Sequence, residues 1–173
     1  MTPATAVELV PYDPAWPEDF KRIREKLERL LAPCVVTIEH IGSTSIPGLA
    51  AKPLVDIDII LRSSTDIPRA TRILLEQGYE PRGNRYDDEV WAFMRRDGKP
   101  PERVYLCPPG NQTHERRLIF RDHLRAHPAD AAAYARLKLE LAEIHRHDGD
   151  RYTAEKRHFI DAIIQKAISL RSA

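Results

Sequence analysis

The stretch Ile38 to Leu61, IEHIGSTSIPGLAAKPLVDIDIIL, sets a Gly-Ser pair ahead of an Asp-x-Asp on an apolar run, with 13 residues from Ser43 to Asp56. Side chains of a strand alternate faces, so Asp56 and Asp58 share one face while Val55, Ile57, Ile59 and Leu61 take the other. Two carboxylates about 7 Å apart along a strand can share one or two divalent cations, and such hard oxygen ligands suit Mg²⁺ when substrate phosphates complete the shell. Cations held this way neutralise the charge that builds up in phosphoryl or nucleotidyl transfer. Upstream, Gly42 lets the backbone approach an anion, and Ser43, Thr44 and Ser45 add hydroxyl donors to the exposed amides. Each piece alone has a plainer reading, as a strand-ending turn or as the solvated face of an edge strand. Joined in this order, they describe a candidate phosphate cradle facing a metal-binding pair.

Outward from this stretch the periodicity alternates between strand and helix. Phe20, Ile23, Leu27, Leu30 and Leu31 recur at helical spacing with charged residues opposite, which predicts an amphipathic helix ending near Pro33. Val35 to Ile41 reads as a β-branched strand, Pro47 to Lys52 as a compact connection, and Leu54 to Leu61 as the Asp-bearing strand. Pro68 to Gln77 reads as a helix closed by Gly78, Tyr79 to Arg82 as a short strand, and Val90 to Arg96 with Arg103 to Cys107 as a strand pair around Asp97-Gly98. Helices are expected over about 113 to 125, from Pro128 to about His147, and over Thr153 to Leu170. The expected fold is α/β (α+β), one domain over residues 1–173, with a mixed sheet flanked by helices and a helical C-terminal half.

The block EHIGSTSIPGLAAKPLVDIDI, with VELVPYDPAWPEDF before it and FRDHLRAHPADAAAYARLKLELA and YTAEKRHFIDAII after it, resembles the GrpB family of the nucleotidyltransferase superfamily. The resemblance runs from about Val7 to about Leu170. It implies a polymerase-β-like nucleotidyltransferase fold and no particular substrate; the residue pattern itself points to Mg²⁺ held by Asp56 and Asp58 as catalytic ligands, with a nucleoside triphosphate as the substrate. Relatives in the family include domains fused to dephospho-CoA kinase. Glu39 and His40, one strand-step before the glycine, belong to the shared block and are possible accessory groups, as is Tyr152 in YTAEK.

Phosphate needs positive partners, and Lys52 is the basic residue nearest the motif in sequence. Arg121 in FRDHL, Lys138 in ARLK and Lys156 in YTAEK lie in segments that match the family, with Arg157, Tyr134 and His123 as neighbours. Each also fits a solvated helix face or an internal ion pair. Active members of the superfamily usually add a third carboxylate on a strand beside the Asp-x-Asp strand, yet Arg103-Val-Tyr-Leu-Cys107 carries none. Members of the family tend to have histidines at the positions matching Arg103 and Tyr105, where this sequence departs. Glu102, Glu115 and Asp122 are the available substitutes. His145 and His147 sit at i and i+2, on different faces of a helix, and chelate poorly.

Composition bounds the partners. The chain has 173 residues, 42% hydrophobic and 31% charged, enough to bury a core without disorder. With 27 basic against 26 acidic side chains and 7% aromatics, nothing global recruits nucleic acid or membrane. Cys34 and Cys107 form no CxxC pair and read as buried thiols. The start MTPATAVELV lacks a basic, apolar leader, so a cytoplasmic location is the expectation. Two functions follow. One is Mg²⁺-dependent transfer of a nucleotidyl group from a nucleoside triphosphate to an unidentified small molecule or protein. The other is a catalytically degenerate domain that binds a nucleotide, a coenzyme or a partner protein.

Overall fold

A computed structural model describes residues 6–85 and 88–173; residues 1–5, the start of the N-terminal stretch read above for a leader, lie outside the described residues. Among the described residues the order is α1 (Trp16–Leu31), β1 (Val35–Ile41), a 3-10 turn (Ser43–Ser45), β2 (Val55–Leu61), α2 (Ile67–Glu76), β3 (Glu80–Arg85), β4 (Val90–Arg95), β5 (Glu102–Cys107), α3 (Gln112–Ala126), α4 (Pro128–Ile144), α5 (Gly149–Glu155) and α6 (Arg157–Arg171). The strands form one mixed sheet in the order β1-β2-β5-β4-β3. Neighbours pair antiparallel, except that β2 and β5 run parallel. A parallel pair needs a long crossover, and α2, β3 and β4 supply it.

The alternation of β2 divides the molecule. Val55, Ile57, Ile59 and Leu61 are fully buried on the core face, against Ile23, Leu27 and Leu31 of α1 and Ala70 and Leu74 of α2. Each aliphatic side chain so buried contributes about 1.5–3 kcal/mol. The opposite face carries Asp56 and Asp58. In register with them on β1 stand Ile41 and Glu39. Helix α3 crosses this second face, with Leu118 packed on Ile41, Val90, Ala92, Tyr105 and Cys107, and α4 and α6 pack outside α3 through Leu124, Tyr134 and Ile163.

Two elements differ from the periodicity. The strand expected from Tyr79 lies at Glu80–Arg85, because Tyr79 turns into the core and its hydroxyl donates to buried Glu102. The last helix starts earlier and is broken: Asp148 caps Arg151 N at 2.9 Å, and the chain re-enters α6 after Lys156. Cys34 and Cys107 are free and buried. No helix among the described residues is long and apolar enough to cross a membrane.

Candidate functional site

The turn after β1 is built around a close approach. Gly42 has φ +71° and ψ −174°, a region open essentially to glycine alone. A Cβ there would sit 2.8 Å from Asp56 Oδ2. The glycine therefore lets the turn rest directly on the first aspartate. The Ser45 amide donates to the Gly42 carbonyl at 3.1 Å, and the Ile46 amide to the Ser43 carbonyl at 3.2 Å, which closes the turn.

Beside this turn the structure gathers positive charge. Lys138 of α4 donates to Ser43 Oγ at 2.9 Å and also to the Ala50 carbonyl. Tyr152 of α5 lies under two more ammonium groups, with Lys156 Nζ 4.2 Å and Lys52 Nζ 5.0 Å from its ring centre. Arg103 of β5 closes the group, its Nε donating to Asp56 Oδ1 at 2.6 Å. Burial, then the field of Lys156, pushes Lys138 down to about 7. Burial pushes Lys156 down to about 8; Lys52 and Arg103 add to the effect, and Asp56 opposes it. Lys52 is lowered too, by burial and then Arg103, again against Asp56.

Asp58, one strand-step away, has a different environment. Its side chain is 0% exposed, and it accepts from Arg117 and from His114 Nδ1, the latter at 2.8 Å. The Arg117 guanidinium lies 4.1 Å from the ring centre of Tyr105. These partners come from α3, whose first turn is fixed by Asn111 capping His114 N at 2.9 Å and by Asp88 accepting from Thr113 N and Oγ1. Sequence reasoning passed over His114 and Arg117. Their spacing from Arg121 (i, i+3, i+7) places all three on one helix face, and that signal was available.

The remaining expected site residues lie on the other side of the turn. Arg121 donates to Glu39 Oε2 at 2.8 Å, to the His40 carbonyl at 2.9 Å and to Asp122 at 2.8 Å. His40 shares a hydrogen bond with Thr44 Oγ1 at 2.9 Å and stacks on Phe20 at 4.7 Å. Burial, aided by Arg125 and Arg121, pushes the imidazole down to about 4. Glu39, His40, Thr44, Ser45 and Arg121 line a separate cleft of about 440 Å³ against α1. Thus Ser43 faces the lysines while its neighbouring hydroxyls face the cleft, and Arg121 is tied to Glu39 and Asp122, not placed among the lysines. Arg157 is exposed.

The donor set does not fit a divalent-cation cage. Parallel pairing sets Arg103 and Tyr105, neither a carboxylate, beside Asp56 and Asp58. Glu102 pairs in register with Val55, so it faces the core and is held by Tyr79. Glu115 is exposed, and Asp122 is held by Arg121. Among the described residues no three His, Cys, Asp or Glu side chains are grouped to hold a metal ion.

A family model described as GrpB protein matches residues 6–166. The chain is 36% identical over 165 residues to the UPF0157 protein YqkA of Bacillus subtilis, covering 95% of this chain and 48% of that one. It therefore spans about half the length of this relative. The crystal structure of conserved protein GrpB from Enterococcus faecalis superposes with a TM-score of 0.85 at 31% identity, over 96% of this chain and 100% of that one. The Cid1 poly(U) polymerase, in a structure bound to MgATP, shares the fold with a TM-score of 0.51 at 12% identity, over 77% of this chain and 43% of that one.

Proposed function

The chain belongs to the GrpB family, and we propose that it binds the polyphosphate of a nucleotide at the Gly42–Ser43 turn, as a nucleotidyltransferase-fold binding domain. The observation that carries this reading is the gathering of Lys138 on the Ser43 hydroxyl, Lys52 and Lys156 on the Tyr152 ring and Arg103 on Asp56, all beside the Gly42–Ser43 turn. Buried like charges depress one another unless an anion joins them. A polyphosphate supplies that anion and meets the turn's amides and the Ser43 hydroxyl at the same place. Tyr152 backs the lysines with an aromatic face.

One observation favours the transferase alternative: Asp56 lies directly beneath the turn, so one acid and the cradle are in direct contact. A calorimetric panel of ATP, GTP, CTP and UTP, in Mg²⁺ and in EDTA, separates the two readings. Binding that persists in EDTA and weakens about tenfold or more in Lys156→Met, the worth of one charge-assisted hydrogen bond, supports the binding domain. Pyrophosphate release that requires Mg²⁺ favours the transferase. Failure of every nucleotide to bind the folded protein eliminates both.

A further inference from the structure

The register between β2 and β5 fixes what stands beside the Asp-x-Asp pair. Arg103 is the partner of Asp56 and Tyr105 the partner of Asp58 on the same sheet face. A flanking strand is where another acid would complete a divalent-cation cage; at that position this chain carries a guanidinium.

The two ion pairs of the motif differ in how readily they can change partners. The Arg117–Asp58 pair is sealed, its side chains 18% and 0% exposed. In the Arg103–Asp56 pair the arginine side chain is 40% exposed and the aspartate side chain 16%. A partly exposed pair adds less to stability than a buried one, so exchanging its carboxylate for another oxyanion costs the fold less than opening the Arg117–Asp58 pair would. The surroundings favour that exchange. Lys52 and Lys156 both lie in the field of Arg103, and a phosphate carries more negative charge than the carboxylate it would replace. Arginine also presents parallel N–H donors that match phosphate oxygens, and it stays charged whatever its neighbours do.

We propose that Arg103 binds a phosphate group of the nucleotide directly, taking the place that a divalent cation holds in a carboxylate cage. Asp56 is then the resident counter-ion that the phosphate displaces, and polyphosphate binds without metal. This inference rests on the nucleotide-binding reading given above and adds the direct phosphate contact of Arg103 and the displacement of Asp56 from it.

The test uses inorganic triphosphate titrated calorimetrically into the full chain, once with excess EDTA and once with Mg²⁺. Wild type is expected to bind at least as tightly in EDTA, because Mg²⁺ cancels part of the ligand's charge. Arg103→Gln is expected to weaken binding in EDTA about tenfold or more. Arg103→Lys, which keeps the charge and loses the fork, recovers part of that loss. Thermal melts confirm that each variant is folded. Binding that needs Mg²⁺, or an Arg103→Gln protein that binds in EDTA like wild type, overturns the role of Arg103 and leaves the nucleotide reading standing. Absence of triphosphate binding in both conditions overturns that reading and the role of Arg103 with it.

Discussion

Asp56 and Asp58 share a strand and a face, yet one sits partly open among several cations and the other in a closed ion pair. Asp58 is fully buried between Arg117 and His114. Asp56 is partly open, pairs with Arg103 and underlies the glycine turn. The difference arises above the strand: α3 lies over the Asp58 end, whereas the lysines of α4 and the α5–α6 junction approach the Asp56 end. A motif that reads as one unit is here divided between a closed, fully buried acid and a partly open one.

The largest expected effect breaks the closed end. Asp58→Asn removes the charge of the fully buried carboxylate to which Arg117 and His114 donate, and breaking a buried pair costs about 3–5 kcal/mol. Urea denaturation should show that loss. A cost under about 1 kcal/mol, the range of an exposed pair, would erase the contrast with Asp56.

A smaller effect tests the open end through pH. Lys138 and Lys156 sit below their usual value of 10.5, at about 7 and about 8. A bound anion raises both, so binding takes up protons above neutral pH and affinity falls as pH rises. The slope reaches at most about tenfold per pH unit for each lysine. The stability of the ligand-free protein moves the other way. Between the folded and unfolded lysine values the unfolded chain holds more protons, so this contribution to stability grows as pH rises from about 7 toward 10.5. Titrations and melts at pH 7, 8 and 9 check both signs. Affinity that is flat with pH would mean that the lysines do not touch the ligand.

The smallest effect is the sharpest discriminator between the two acids. Asp56→Asn removes the carboxylate that competes with phosphate for Arg103, and nucleotide affinity in EDTA should rise a few-fold, under about 1 kcal/mol, in keeping with an open ion pair. A drop in affinity on this substitution would place Asp56 among the groups that hold the ligand and count against the counter-ion role.

Much of the fold was legible because its signals are local. Alternation over Val55 to Leu61 gave the strand and its buried face, the glycine after Ile41 marked the turn, and the apolar spacing of Ile23, Leu27 and Leu31 gave α1. The break at Lys156 was not legible, since neither Gly nor Pro announces it. The lysine cluster was legible only as separate candidates. Lys52 and Lys156 meet across Tyr152, more than 100 residues apart in sequence, and no local pattern encodes that meeting. Thr44, Ser45 and Arg121 seemed equivalent to Ser43 and Lys138 in sequence, yet a single turn divides them, with Ser43 held by Lys138 and the others lining the cleft against α1.

By itself, then, the sequence determined the main strands and helices and that Asp56 and Asp58 share a face, because backbone geometry sets those periods residue by residue. Tertiary structure decided which cations reach each acid. The parallel register of β5 set Arg103 beside Asp56, and the docking of α3 set Arg117 on Asp58. Those choices follow from long-range packing, where the burial of the apolar faces fixes the register and carries the charged side chains to their partners.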